Sequence, residues 1–266
     1  MILLVLLFLV VVYQLLSCHC KKTKRREYYI SSLSPVPPLS PSQITFLSND
    51  KLNMLLVNNS DRFFDHLFDY DLYARQIKNK DQYFENIKNS VDNFTDQDKI
   101  KIQNCTQDCD KFLQKVTFPG FDGVKASNIN WKLGKVKGKL YEYGLAHTRF
   151  NDLIILSDEN LADKPEILTR TLIHEKVHLY QKQYPNDIDI YLEQHNFKKI
   201  KKREYDDYIR ANPDLDDWIY KDNITGLVYK CTYNSKYPQS ILDVSVKNQL
   251  FEHPFEKMAV EISSKK

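Results

Sequence analysis

The 266-residue chain has few glycines and no large excess of charge of either sign. Its 6 glycines leave little room for the glycine-rich loops that hold nucleotide phosphates. The 38 Lys and Arg residues face 35 Asp and Glu residues, so the net charge gives no general argument for nucleic-acid binding. Hydrophobic residues make up 42% of the chain, which excludes a wholly disordered or low-complexity protein. We therefore expect a globular protein with no nucleic-acid partner.

The chain also lacks the C-x-x-C pairs typical of structural zinc sites, and its 5 cysteines are an odd number. Cys105 and Cys109 lie four residues apart on a predicted helix, where both face the same side. A disulfide between them would strain the helix, so we expect two buried thiols.

No basic residue precedes the apolar segment that opens the chain, residues 1–16. A secretory signal carries positive charge before its apolar segment, whereas here the Lys and Arg residues follow, from position 21 to position 26. By the positive-inside rule, the basic side and the rest of the chain stay in the cytosol. We therefore predict a single-pass N-terminal membrane anchor at residues 1–20, with secretion after signal cleavage as the alternative. Asn-x-Ser/Thr sequences suit a lumenal location instead and leave the topology open, at Asn58, Asn93, Asn104 and Asn223.

Two segments lead from the anchor to the main domain. Residues 21–45 are a basic and Pro/Ser-rich linker, whose closely spaced prolines favour extended polyproline II and make it a semi-stiff spacer. Residues 46–118 carry apolar side chains at three- and four-residue spacing, which predicts a helical region. Within it, Thr95 and Asp98 form a capping box that opens a helix.

The main domain is predicted over residues 119–266, with both strands and helices. Residues 152–156 are predicted to form a strand, because this apolar segment is short and is bounded by polar residues. A helix over residues 164–182 follows, with Asp163 as its cap and Pro165 in its first turn.

Two charged segments of this domain are predicted to be solvated surface. The basic run at residues 198–203 is predicted to be an exposed helix face. Asp214, Asp216 and Asp217 lack the glycine and the closing glutamate of a calcium loop, so a solvated turn is predicted there.

The motif that carries chemistry is His174-Glu175-Lys176-Val177-His178, within the capped helix. Two histidines four residues apart lie on one helix face, so both imidazoles can converge on one Zn²⁺. Glu175, one residue along, can reach a water molecule beside that metal. This pattern predicts a catalytic zinc site with His174 and His178 as ligands and Glu175 as general base.

A catalytic zinc site needs a third protein ligand. The metzincin pattern does not supply it, because Gln181 and Tyr184 stand where that pattern has Gly and His. Downstream, Pro254 opens a predicted helix with Glu256 in its first turn, and Ala259 would let this helix pack closely on the first one. We therefore predict Glu256 as the third ligand. The alternatives are Glu252, Glu261 and, more weakly, His253.

The His-Glu-x-x-His motif followed by a glutamate in a Glu-x-x-Ala helix resembles the gluzincins, as in thermolysin-like zinc peptidases. More narrowly, residues 141–262 resemble predicted zinc metallopeptidases of large DNA viruses and bacteria. The resemblance implies an α+β, zincin-like fold with a small sheet packed on the motif helix. It does not extend to the N-terminal half, where the helical region and the membrane anchor are predicted from the sequence pattern alone. One departure is the spacing, since Glu256 follows His178 by 78 positions and thermolysin-like members place it a few turns on.

The resemblance also implies a mechanism, with Zn²⁺ as cofactor and a polypeptide as substrate. Zinc acidifies its bound water from a pKa of about 15.7 towards 7, and Glu175 accepts the proton as the water attacks a polarised carbonyl. The strand at residues 152–156 would pair with an extended peptide by β-augmentation, and His147 and Thr148 would support a zinc ligand. The residue that stabilises the oxyanion stays open among Tyr208, Tyr220, Tyr233, Tyr237 and His195.

Two other functions compete with a membrane-anchored endopeptidase. The chain could be a tethered, non-catalytic binding protein on the same fold, or its zinc could be purely structural. An intact Glu175 favours the enzyme, because a binding protein has no chemical need for the base. The three predicted ligands leave one position of a tetrahedral zinc open, which argues against a structural site.

Overall fold

The computed structural model describes residues 42–246 and 250–266. The predicted anchor at residues 1–20 and most of the predicted linker lie outside these residues. Among the described residues, no helix is both long and apolar enough to cross a membrane.

The described chain is a mixture of helices and short strands. The helices are α1 (Asn49–Asn58), α2 (Asp69–Ala74), α3 (Lys80–Ser90), α4 (Asp96–Leu113), α5 (Gly123–Ser127), α6 (Asp158–Ala162), α7 (Pro165–Gln183), α8 (Pro185–Gln194) and α9 (Pro254–Ser263). The strands are β1 (Ile44–Phe46), β2 (Val91–Asp92), β3 (Thr117–Phe118), β4 (Phe121–Asp122), β5 (Trp131–Val136), β6 (His147–Arg149), β7 (Leu153–Ser157), β8 (Phe197–Lys202), β9 (Trp218–Asp222), β10 (Val228–Tyr229), β11 (Thr232–Tyr233) and β12 (Val244–Ser245). This confirms the α+β class with a small sheet.

The main sheet has the strand order β1-β5-β7-β6, with β2 paired to the far end of β5. Strands β1 and β7 run parallel to β5, whereas β6 runs antiparallel to β7 and forms one edge. Strand β1 begins inside the predicted linker, and β2 lies inside the predicted helical region. The boundary predicted at residue 118 therefore does not coincide with a break in the sheet.

Both faces of the main sheet are buried. On one face, Ile154 and Leu156 of β7 join a core that includes Leu172 and Val177 of α7 together with residues of α4 and α9. On the other face, Leu153 and Ile155 pack with residues of α1 and α3. Alternation along a strand sends neighbouring side chains to opposite faces, so the wholly apolar sequence of β7 is the one that a strand buried on both faces needs.

The helices begin largely where local signals place them. The capping box is confirmed: Thr95 Oγ1 accepts from the Asp98 N–H at 3.1 Å, and the Asp98 carboxylate accepts from the Thr95 N–H at 2.9 Å. Pro165 begins α7, as its missing N–H allows. The predicted cap is wrong, because Lys164 holds the cap position and no side chain bonds there. Cys105 and Cys109 are free and buried, as predicted.

Two predictions about strands are wrong. The basic run is not a helix face: residues 198–202 belong to β8, which pairs antiparallel with β9, and the lysine side chains are exposed as predicted. Arg203 is not solvated, because it is buried in ion pairs with Asp71 and Asp217. The β9 backbone supplies the hydrogen-bond partners, and the Nζ atoms of Lys199 and Lys202 lie 5.6 Å and 5.8 Å from the centre of the Trp218 ring. Strand β7 is not an edge, because β5 and β6 occupy its two sides. Residues 153–155 of β7 are therefore paired on both sides and cannot form the edge to which a peptide would add.

The close approach of α1 to β5 gives a test of this packing. A Cβ on Gly134 would lie 2.6 Å from a methyl carbon of the buried Leu52, so we expect Gly134→Ala to lower the free energy of unfolding by about 1–3 kcal/mol. Leu52→Ala should lower it by about 2–5 kcal/mol, and the double variant by less than the sum, because the new methyl fills part of the vacated space. Denaturant unfolding of the three variants measures this. Strictly additive losses would contradict the contact.

Candidate metal centre

The candidate site lies where α9 packs against α7. The core places Leu172 and Val177 of α7 together with Met258 and Ala259 of α9, and all four are buried. Pro254 begins α9, and the His253 side chain caps it by accepting from the Phe255 N–H at 3.1 Å. This arrangement fixes the first turn of α9, which carries Glu256, against the motif on α7.

His174, His178 and Glu256 converge on one point. The two Nε2 atoms of the histidines are 3.0 Å apart. The Glu256 carboxylate lies 3.3 Å from Nε2 of His174 and 3.5 Å from Nε2 of His178. Potential ligand atoms of all three residues lie within 4.8 Å of one another. Two imidazoles and a carboxylate are the donor set of a zinc site that keeps a position open for water or substrate.

The alternative third ligands are engaged elsewhere. Glu252 accepts from Arg210 Nη2 at 2.6 Å, and Glu261 pairs with Lys257. His253 uses one ring nitrogen in the helix cap and holds the other 3.1 Å from the Asp216 carboxylate. The structure therefore brings only Glu256, of the four predicted candidates, into the cluster with the histidines.

Gln181 orients His178, and sequence reasoning used this residue only to reject the metzincin pattern. Its side-chain nitrogen donates to the Phe255 C=O at 3.0 Å, so its oxygen is the atom that accepts from His178 Nδ1 at 2.8 Å. Because Nδ1 carries the proton donated to Gln181, Nε2 is the nitrogen directed at the cluster. The spacing was the available signal, because Gln181 follows His178 by three residues on one helix face.

The charges at the cluster also suit a cation. Burial alone would lower the pKa of His178, but the Glu256 carboxylate raises it to about 9. Burial would raise the pKa of Glu256, and the two histidines hold it well below its usual range. A divalent ion bound here would replace the proton on His178 that now offsets the negative charge of the Glu256 carboxylate.

Glu175 lies in a strongly acidic environment. Burial, with the nearby carboxylates of Asp214 and Glu256, raises its pKa well above the ordinary value. Its Oε2 atom is buried without a hydrogen-bond partner among the described residues. It lines a cavity of about 220 Å³ that His174 and Glu256 also line. A carboxylate that is desolvated, unpaired and next to the cluster suits a general base.

The candidates for stabilising an oxyanion do not meet this cavity. None of the four tyrosines, nor His195, lines it in the described part of the chain, and Tyr220 and Tyr233 bond instead to Asp216 and Asp71. Arg210 does line it, with its Nε atom buried and unpartnered. Nothing local in the sequence marked Arg210, because its position depends on the ion pair with Glu252.

His147 and Thr148 do not bond to a cluster residue in the described chain. His147 Nδ1 donates to the Leu145 C=O at 2.8 Å, which leaves Nε2 buried and unpartnered at the cavity. Thr148 donates through both its N–H and its hydroxyl to Asp214. Asp214 lies in a turn as predicted, but the prediction that it is solvated is wrong, because it is buried beside β6. Long-range contact with that strand, invisible to local composition, is the physical reason.

The role of Gln181 can be tested by metal affinity. Gln181→Ala removes the acceptor that orients His178, so we expect zinc to bind roughly 10–100-fold more weakly. Gln183→Ala is the matched control, because Gln183 is on the same helix but bonds to the Asn151 C=O. Competition with a chromophoric chelator measures both. Equal affinity in the two variants would exclude the orienting role.

Proton release offers a second test. His178, with a pKa of about 9 in the metal-free protein, must lose its proton to bind a metal through Nε2. Calorimetry in two buffers of different ionisation enthalpy should therefore show roughly one proton released per zinc from this residue at about pH 7, and less near pH 9. Release of less than about half a proton at neutral pH would contradict the assigned charge state.

Comparison of the chain with family models, curated proteins and solved structures finds no match to any of them. The gluzincin resemblance therefore stays a prediction from the motifs, alongside the geometry of the His-His-Glu cluster.

Proposed function

We propose that the protein is a zinc-dependent hydrolase of peptide bonds. The observation that carries this proposal is the convergence of His174, His178 and Glu256 beside the unpaired carboxylate of Glu175. A structural zinc site would be closed by four protein ligands, whereas this cluster offers three and borders a cavity. Three protein ligands and an adjacent base are the minimum that metal-assisted hydrolysis needs.

His174, His178 and Glu256 would hold the ion, which would polarise a substrate carbonyl and make water acidic enough to attack it near neutral pH. Glu175 accepts a proton from the attacking water as the new C–O bond forms. The C–N bond then breaks, and Glu175 delivers the proton to the departing nitrogen, so that one water molecule is consumed per bond cleaved.

The cavity offers hydrogen-bonding groups for a peptide. Within residues 42–246 and 250–266, the N–H of Arg210 Nε and the acceptor His147 Nε2 have no hydrogen-bond partner. A peptide group presents one C=O and one N–H, which complement this donor and this acceptor. The membrane anchor predicted at residues 1–20 lies outside the described residues, and it remains part of the proposal.

Zinc content and peptide hydrolysis test the proposal together. We expect about one zinc per chain, lost in His174→Ala and Glu256→Ala but kept in the matched control Glu252→Gln, which lies outside the cluster. Glu175→Gln should keep its zinc and lose at least about a hundredfold in hydrolysis, because it removes only the base. Zinc is measured by atomic emission and hydrolysis with a mixed peptide library.

The outcomes separate the competing functions. A parent protein without zinc would exclude the hydrolase. If the parent binds zinc, both ligand variants lose it and the parent hydrolyses no peptide, the non-catalytic binding protein is favoured. Zinc kept in Glu256→Ala would move the third ligand to another residue.

A further inference from the structure

The edge strand beside the cluster has little free backbone. In β6, which pairs antiparallel with β7, Thr148 donates its N–H to Asp214 Oδ1 at 2.5 Å, and its C=O accepts from Lys182 Nζ at 3.2 Å. The N–H and C=O of one residue in an antiparallel strand point to the same side. The outward backbone groups of Thr148 are therefore occupied by side chains of the chain itself.

The next outward position is closed in the same way. The Phe150 N–H donates to Asp61 Oδ2 at 3.3 Å, and Asp61 is held in place by Arg149, whose Nε lies 2.6 Å from the same oxygen. Burial alone would raise the pKa of Asp61, but Arg149 lowers it, so the carboxylate stays charged. Charged side chains on an edge strand prevent another strand from pairing there.

The cavity end of the strand is open. Ala146 precedes Thr148 by two residues, lines the cavity with His174 and Glu175, and has no hydrogen bond from its backbone to another described residue. An extended peptide can thus pair with the chain at Ala146, in the cavity that His174 and Glu256 also line, but cannot continue along Thr148 and Phe150.

The direction of the strand decides which part of a substrate is excluded. A peptide that adds antiparallel to β6, the more stable orientation, has its amino-terminal side towards Thr148 and Phe150. From these contacts we propose that the site removes residues from the amino terminus of peptides, with one or two residues before the cleaved bond, and does not cut within long extended chains. This inference rests on the proposed hydrolase function. It replaces the endopeptidase activity predicted from the sequence with cleavage near the amino terminus of the substrate.

The lining of the cavity suits a free α-amino group. The acids that line it are Glu142, Glu175, Asp214, Glu252 and Glu256. Glu142 is paired with Arg75, Glu252 with Arg210, and Glu256 with the two histidines. Among the described residues, Glu175 and Asp214 are therefore the two acids of this lining that have no ion pair. His147 Nε2 adds a buried acceptor, because the proton on its Nδ1 is donated to the Leu145 C=O. The α-ammonium of a peptide donates three hydrogen bonds and carries the complementary charge.

Matched peptides test the proposal with the zinc-loaded full chain. One peptide has a free amino terminus, the second is acetylated there, and the third carries an acetylated five-residue extension before the same sequence. We expect kcat/KM for the free peptide to exceed the others by at least about tenfold, with products that lack one or two amino-terminal residues. Internal cleavage of the extended peptide at a comparable rate would overturn the proposal.

Binding separates this proposal from the proposed function. Zinc-loaded Glu175→Gln should bind the free peptide at least about tenfold more tightly than the acetylated one, whether or not the parent hydrolyses either. If the variant prefers the free peptide but the parent hydrolyses neither peptide, the hydrolase function is excluded and amino-terminal recognition is still supported. Equal affinities, or no binding of either peptide, would overturn amino-terminal recognition.

Opening the edge gives a third readout. Asp214→Ala frees the Thr148 N–H and removes one carboxylate, so the preference for the free peptide should shrink. Asp206→Asn, an exposed change in the short 3-10 helix Tyr205–Asp207 after β8, is the matched control. Circular dichroism and zinc content first establish that both variants fold. An unchanged preference in folded, zinc-loaded Asp214→Ala would contradict the role assigned to the closed edge.

Discussion

The packing of α9 on α7 is the contact on which the candidate site depends. Glu256 follows His178 by 78 positions, so no local structure holds the two side chains together. Buried Met258 and Ala259 of α9 meet the apolar face of α7, and the Gln181 side chain bonds to the Phe255 C=O across the joint. The same Gln181 directs the imidazole of His178, so the helix contact and the orientation of a ligand share one side chain. A shift of α9 along α7 would therefore disturb the metal ligands and their support at once.

The opposite face of α7 is fixed by a buried charge. Lys176, between the two histidines in sequence, lies 2.5 Å from the Asp110 carboxylate of α4 and 3.9 Å from the centre of the Trp131 ring. Burial lowers the pKa of Lys176 to about 8, yet the ion pair and the aromatic ring keep the ammonium favourable near neutral pH. Separating a buried ion pair costs about 3–5 kcal/mol, so rotation of the helix about its axis is strongly opposed. The rotation that buries Lys176 is the one that turns both histidines towards α9.

Local signals in the sequence predicted the parts of the site that local chemistry determines. The spacing of His174 and His178, the proline that begins α9 and the capping box at Thr95 all act within one or two helical turns. The missed features depend on contacts between distant segments. Asp214 is buried only because β6 passes beside it, Arg210 reaches the cavity only through Glu252, and β8 is a strand only because β9 pairs with it. The lysine-rich sequence of β8 has little strand preference of its own, so it could not reveal this pairing.

The closed edge of β6 links the integrity of the sheet to its proposed chemistry. An edge strand with free backbone invites pairing with other chains, and Asp61 and Asp214 prevent this by bonding to the outward N–H groups of Phe150 and Thr148. The same two carboxylates exclude the amino-terminal side of an extended substrate, whereas Ala146 stays accessible at the cavity. Protection against aggregation and selection of substrate thus follow from one set of contacts. Relaxing the selection by removing either carboxylate would also expose the edge, so the two properties cannot be varied independently.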